Sequence, residues 1–200
     1  MADRIAYLAV SIALIALVGA GCSTAPARFY TLDSTASPGV APATRIAVVV
    51  GPVSVPDTVD RPEFVVQVAS NQVDVEEFNR WAAPLADGIA RAVAGDLSAL
   101  LGTPDVAVGP LGNFAPVYRV TIDVQRFDSV QGQSATIDAM WTVHDIANGK
   151  TRSGRTVASE PVQGDGFQAL AAAHSRVLAK ISGDIAAAIR TESARKQQFR

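Results

Sequence analysis

The sequence predicts an α+β domain: a two-layer sandwich in which a mostly antiparallel sheet carries two amphipathic helices on one face. Three observations predict it. Tyr118, Val120, Ile122 and Val124 alternate with Arg119, Thr121, Asp123 and Gln125, the period-two pattern of a half-buried strand, and Ile137, Ala139, Trp141 and Val143 do the same against Asp138, Met140, Thr142 and His144. Asn148-Gly149 follows the second run and feeds a strand over 151–158, the turn chemistry of a tight hairpin. The stretches 82–101 and 167–189 instead repeat their apolar residues at helical spacing. Helices with one apolar face need a sheet to cover, and strands that arrive as hairpins make that sheet antiparallel.

The elements follow in chain order. Met1 to Arg4 is a short polar start, and Ile5 to Val18 is an uncharged run of 14 residues. As a helix at ~1.5 Å per residue it reaches about 21 Å, short of the ~30 Å hydrocarbon core, which suits a signal-peptide core better than a permanent span. Gly19, Ala20 and Gly21 lead into Cys22, the single cysteine of the chain. This arrangement resembles the bacterial lipoprotein signal, the lipobox, which implies cleavage before Cys22 and a diacylglycerol on its thiol. Gly19 departs from that pattern, which usually has Leu or a similar residue there. Ser23 follows where an Asp would suggest inner-membrane retention, so the resemblance implies sorting to the outer membrane. The reading divides the chain into a signal peptide (1–21), a lipidated tether (22–27), one α+β domain (28–190) and a polar tail (191–200).

Arg28 to Leu32 reads as a short strand and Ser34 to Thr44 as a loop rich in Ser, Ala, Pro, Thr and Gly. Ile46 to Val55 is a buried strand bent at Gly51-Pro52. Phe64 to Val68 and Gln72 to Val75 flank Ser70-Asn71, a hairpin whose turn is expected to use Asn at positive φ. In the helix over 82–101, Leu85, Ile89, Val93, Leu97 and Leu101 form the apolar stripe, Asp87, Arg91 and Asp96 the opposite face, and Gly102 the stop. Gln131-Gly132-Gln133 turns the chain between the two alternating strands. The last helix carries Phe167, Leu170, His174, Val177, Ile181, Ile185 and Ile189 along one side. Residues 190–200 are basic and polar, a frayed helix or a tail.

Composition narrows the function. The chain has 200 residues, is 48% hydrophobic and carries a net charge of −2, which disfavours nucleic-acid binding. One cysteine and two histidines leave no intramolecular disulfide and little for metal binding. No G-x-S-x-G elbow, phosphate-cradling Gly-rich loop or H-E-x-x-H is present. No catalytic residue, metal site or cofactor is therefore assigned. His174 lies on an apolar stripe, where packing is the simpler reading and a functional role needs a carboxylate partner. His144 alternates to the polar face. Asp57 and Asp60 sit between Pro56 and Pro62 without the oxygen-rich loop of a calcium site. Arg119, Arg152 and Arg155 are placed together on a solvated sheet face. Trp141 has core parity, whereas Trp81, beside Arg80, either staples the start of the first helix or belongs to a binding surface.

Several pieces in order resemble one family. They are the lipobox, Phe29-Tyr30-Thr31-Leu32, Val49-Val50-Gly51-Pro52-Val53, Val55-Pro56, Asp60-Arg61-Pro62, the run from Phe78 to Leu85, Tyr118-Arg119-Val120, Met140-Trp141-Thr142-Val143 and the Ala-rich last helix. The sharpest is Arg80-Trp81-x-x-Pro84-Leu85. Together they are similar to PqiC-type auxiliary lipoproteins of ABC-type or MCE-type transport systems, which move lipids between the two membranes of Gram-negative bacteria. The resemblance implies a non-enzymatic protein anchored to outer-membrane lipid through acylated Cys22. It also implies a domain facing the periplasm, a tunnel-forming MCE subunit as partner, and a homo-oligomeric ring around the tunnel tip. Pro56, Asp60, Arg61, Pro62, Arg80 and Trp81 are the candidate partner interface. The competing readings are a periplasmic lipid-binding carrier, an outer-membrane assembly lipoprotein and a tethered hydrolase; a carrier needs an enclosed apolar cavity, and a hydrolase lacks its triad.

Overall fold

Alternation in the sequence becomes a ladder in the structure. The computed structural model describes residues 25–38, 46–109, 112 and 114–198. Its elements are β1 (Arg28–Tyr30), β2 (Val48–Ser54), β3 (Glu63–Ala69), β4 (Gln72–Trp81), α1 (Leu85–Leu101), β5 (Val106–Val108), β6 (Tyr118–Val130), β7 (Ser134–Asp145), β8 (Thr151–Pro161) and α2 (Gly166–Gln198). β6, β7 and β8 form an antiparallel meander, with Val120 opposite Val143, Ile122 opposite Trp141 and Trp141 opposite Gly154. Gly132 and Gly149 take the left-handed backbone its two turns require. Both helices pack on the buried face of this sheet, α1 over β2 and β5, α2 over β6 to β8, and against each other. The two-layer α+β sandwich is thus the observed architecture.

Pairing across the chain differs from the expectation of one sheet. There are two: a five-stranded sheet of order β5-β2-β6-β7-β8 and a three-stranded sheet of order β1-β4-β3. β2 runs parallel to both β5 and β6, and β1 runs parallel to β4. Parallel neighbours lack a local turn signal, which is why hairpin chemistry alone does not find them. β5 is three residues long and carries no period to read. β4 runs through Glu76-Glu77 to Trp81 with an irregular register opposite β3, so Trp81 is the last residue of a strand as well as standing just ahead of α1. The β3–β4 hairpin forms, but no non-glycine residue has positive φ, Asn71 included; a register shift between Gln67 and Ala69 takes up the reversal instead.

On α1 the stripe of Leu85, Ile89, Val93, Leu97 and Leu101 is buried, and Gly102 closes the helix in the left-handed conformation at φ 64°. Asp96 is not on a solvated face. It is fully buried, because residues 33–36 cross the helix pair there. Its Oδ1 accepts from Ser34 Oγ and from the N–H groups of Thr35 and Ala36, each at 2.9 Å, and its Oδ2 accepts from Ser182 Oγ at 3.1 Å. Asp33 N–H donates to Ser175 Oγ at 3.1 Å, and Thr35 Oγ1 donates to the Ser175 carbonyl at 3.2 Å. Gly95 permits the crossing: a Cβ there would stand 2.7 Å from Ser34 Cβ.

α2 buries Leu170, His174, Val177, Ile181, Ile185 and Ile189, the predicted stripe, with Phe167 half-buried. The helix continues through the basic stretch to Gln198. That end is fastened by Tyr118 Oη to Ser193 Oγ at 3.2 Å, Arg152 to Glu192 at 3.5 Å, and an ion pair of Lys196 with Asp145. Burial acts to raise the Asp145 carboxyl, and Lys196 with the Ala147 and Asn148 N–H groups more than offsets it, holding the group below the usual carboxylate range.

Candidate partner-binding face

The small sheet is fixed to the main layers by aromatic packing. Phe64 of β3 stacks on Trp81 of β4 with ring centroids 3.9 Å apart. Tyr30 meets Phe64 edge-on at 5.5 Å, Phe167 of α2 meets it at 5.2 Å, and Trp81 meets Phe127 of β6 at 6.0 Å. Such edge-on and stacked pairs add specific attraction to the area they bury. One face of the small sheet is therefore core, and the opposite face remains open.

That open face is unusually apolar. Phe29 is 64% exposed, and Val73, Val75 and Phe78 are exposed as well. The register puts Phe29 opposite Arg80, Arg80 opposite Glu63, and Val75 opposite Val65, so these side chains share one surface. Arg80 and Glu63 form an ion pair at 3.0 Å. Arg61, Glu63, Val75, Glu77, Phe78 and Arg80 line one shallow depression here, together with Ala25 and Ala27. An apolar centre with a charged rim is the anatomy of a protein contact surface, and clustered exposed apolar side chains mark such sites.

The candidate residues read from sequence fall into two groups. Asp60, Arg61 and Pro62 are exposed on the 56–62 loop beside this surface, and Pro56 is half-buried with its carbonyl accepting from the Val59 and Asp60 N–H groups. Trp81 N–H donates to the Pro62 carbonyl at 2.7 Å, which ties the loop to β4 and brings Arg61 and Arg80 together. Trp81 itself is buried beneath, only 6% exposed. It supports the surface instead of presenting a side chain to it. Cys22 lies outside the described residues.

Other singled-out residues resolve as packing or surface. Trp141 is core, its Nε1–H donating to Thr156 Oγ1 at 3.0 Å, and Thr156 donating in turn to Asp184 at 2.6 Å. His174 faces Ser129, with no carboxylate beside it. His144 pairs with Thr151 on the outer face. Arg155 makes a two-pronged contact with Asp138 at 2.9 and 2.6 Å, which holds that carboxyl below its usual range. The three arginines do not share a face: Arg119 and Arg155 are on the outer side, while Arg152 reaches Glu192 on α2. Among the described residues no group of His, Cys, Asp and Glu could hold a metal, and no helix is long and apolar enough to cross a membrane.

Sequence reasoning missed Val73, Val75 and Phe78. The signal was present, since Val73 and Val75 alternate with Asp74 and Glu76 while Phe64, Val65 and Val66 run apolar on both faces of the partner strand. Val75 opposite Val65, with Val73 two residues away on the same side of β4, makes a second apolar face.

Comparison with known proteins places the chain in a family. Residues 30–186 match the family described as ABC-type transport auxiliary lipoprotein component. The chain belongs to this family. The matched span runs from β1 into α2 and so includes the whole small sheet except Arg28 and Phe29. No curated protein sequence matches the chain. Among solved structures, a Xanthomonas campestris protein superposes with a TM-score of 0.71 at 20% identity, covering 86% of this chain and 99% of that one. An uncharacterised protein gives 0.66 at 22% identity, covering 82% and 99%. A dodecameric PelC from Paraburkholderia phytofirmans aligns with a TM-score of 0.41 at 15% identity over 74% and 89%. The first two share the fold of this auxiliary lipoprotein.

Proposed function

We propose that this auxiliary lipoprotein is a non-enzymatic accessory subunit of an MCE/ABC-type intermembrane lipid transport system. In this reading 1–21 are removed, Cys22 is acylated and held in the outer membrane, and the domain faces the periplasm. It docks on the tunnel-forming MCE subunit through the open face of the small sheet. The observation that carries the reading is the continuity of Arg61 and Arg80 with exposed Val75 and Phe78 in one depression, with exposed Phe29 opposite Arg80 in the β1–β4 register. Ala25 and Ala27, the described residues that follow the proposed lipidated Cys22 in sequence, line the same depression. A ring of copies around the tunnel tip belongs to the same proposal and is read by native mass spectrometry.

The test is site-specific photocrosslinking in intact cells that express both proteins. A photoreactive residue at Arg61 or Val75 is expected to capture the MCE subunit, while one at Val157 on β8 is not. No capture at either position while both proteins are present overturns the docking. Separately, Cys22→Ser is expected to abolish acyl labelling and leave uncleaved precursor; unchanged processing overturns the anchor.

A further inference from the structure

We infer that the tip of the β3–β4 hairpin is a second membrane contact, an uncharged point that enters the interface of a lipid bilayer beside the anchor. β3 buries Phe64, Val65 and Val66 and then leaves the body of the domain. Residues 68–75, which carry the chain around the turn and back into β4, are all exposed. Past the rung that pairs Val66 with Asp74, the register continues with Gln67 opposite Val73 and Ala69 opposite Gln72. At ~3.4 Å per residue, these rungs and the turn project by about 7–10 Å. That is the depth at which peripheral elements enter the boundary between headgroups and acyl chains, ~5–10 Å.

The chemistry of the tip and the direction of the chain select this partner. No residue from Phe64 to Val73 is charged. Val68 is 51% and Val73 54% exposed, one on each strand, and Gln67, Ser70, Asn71 and Gln72 place neutral hydrogen-bonding groups between them. Charge returns only behind the tip, at Asp74, Glu76 and Glu77. These carboxylates limit the depth and are repelled by an anionic surface, so the tip suits zwitterionic lipid. β1 runs parallel to β4, with Arg28 opposite Asn79 and Tyr30 opposite Trp81, so the chain enters β1 from the side on which β4 begins, the side of the tip. Ala25 and Ala27 share a depression with Val75, Glu77 and Phe78 of that strand. In the lipid-anchored reading, on which this inference rests, the bilayer is on that same side. Val68 is not among the residues of the docking depression, so membrane contact and partner docking are separable.

The experiment uses the full acylated chain in phosphatidylcholine vesicles whose acyl chains carry bromine near the headgroup, with a fluorescent reporter placed in the turn by Asn71→Trp. Trp81 and Trp141 are buried, so the unsubstituted chain supplies the baseline. The reporter's emission is expected to shift to shorter wavelength and to be quenched about threefold more than that of Val157→Trp on β8. Adding Val68→Asp to the reporter chain is expected to lower the quenching about threefold, because the apolar tip drives the entry. Replacing part of the lipid with phosphatidylglycerol is expected to lower it as well. Circular dichroism of each variant checks the fold. Quenching no greater than at position 157 overturns the contact, and so does quenching indifferent to Val68→Asp, which would show the anchor alone holding the tip nearby. Quenching that rises with phosphatidylglycerol overturns the preference for zwitterionic lipid. A photoreactive residue at 68 that captures a protein and no lipid in intact cells overturns the membrane as partner. The mass of the same preparation reports the acyl groups on Cys22: their absence overturns the anchor, whereas missing quenching in acylated protein overturns the tip alone.

Discussion

The imidazole of His174 lies flat on the ring of Phe127, centroids 3.9 Å apart and planes within 9°, sealed between α2 and β6. Its Nε2 shares a hydrogen bond with Ser129 Oγ at 2.8 Å, and its Nδ1 has no partner. Burial pushes the ring from 6.5 down to about 3, so the folded protein holds it neutral.

A pH dependence follows from that depression. The unfolded chain binds the proton below pH 6.5 while the folded chain refuses it until about pH 3, so stability is full above the first value and falls toward the second. Each pH unit in this window costs ~1.4 kcal/mol, or about 2–3 kcal/mol between pH 7.5 and 4.5 from this group alone. Urea titrations at the two pH values check it. His174→Gln is expected to lose stability at neutral pH and to show that much less further loss on acidification. Equal acid slopes for the two proteins would sink the assignment.

Gly154 gives a steric prediction. A Cβ at that position would stand 2.2 Å from Cζ2 of Trp141 on the neighbouring strand, so the ring lies where a side chain would begin. Gly154→Ala is expected to cost about 2 kcal/mol through overpacking, lowering the melting temperature by roughly 4–8 °C. Thermal melts followed by circular dichroism measure it. Gly183, whose added Cβ would meet nothing within 4 Å, is the control: Gly183→Ala, in the interior of α2, is expected to be neutral or stabilising.

Asp96 supports a prediction about local order. Removing its carboxylate in Asp96→Ala strands the hydroxyls of Ser34 and Ser182 and two backbone N–H groups, at a cost of about 2–4 kcal/mol. Hydrogen exchange at the Thr35 and Ala36 amides should accelerate by at least tenfold, with β6 and β7 amides changing only as global stability does. Unchanged exchange at those two amides would show that the crossing is held by other means.

For the docking face, Val75→Glu and Arg80→Glu are expected to leave the melting temperature within about 2 °C, since both side chains are on the open side of the sheet. Crosslinking from position 61 should fall severalfold in each. Trp81→Ala is expected to behave oppositely, losing about 3–5 kcal/mol of stability because its ring is packed between Phe64 and Phe127. Recovery of crosslinking by Trp81→Phe would separate support of the surface from contact with the partner.

What was legible in the sequence follows from the range of the forces involved. β6, β7, β8 and the two helix stripes are read correctly because alternation, turn residues and helical spacing are local patterns. The parallel pairing of β1 with β4 and of β2 with β5 is decided by residues about fifty positions apart, and nothing near Arg28 or Val106 records it. Asp96 shows the same limit. Its spacing on α1 assigns it to the polar side, and the partner that buries it arrives from a loop sixty residues upstream. Among site residues, Arg61 and Arg80 are legible through a motif, whereas Val73, Val75 and Phe78 form one exposed surface only once β4 pairs with β3 and β1.

The crossing of residues 33–36 over the helix pair has a mechanical consequence. In the proposed lipid-anchored arrangement, a domain drawn away from Cys22 takes the pull through residues 25–36. β1 lies alongside β4, so tension along it loads their hydrogen bonds lengthwise, all together instead of one after another. Beyond β1 the load passes to Asp33, Ser34, Thr35 and Ala36, which are clamped to Ser175 on one helix and Asp96 on the other. The traction is shared between α1 and α2, and the apolar face of the small sheet keeps its shape while the tether is taut.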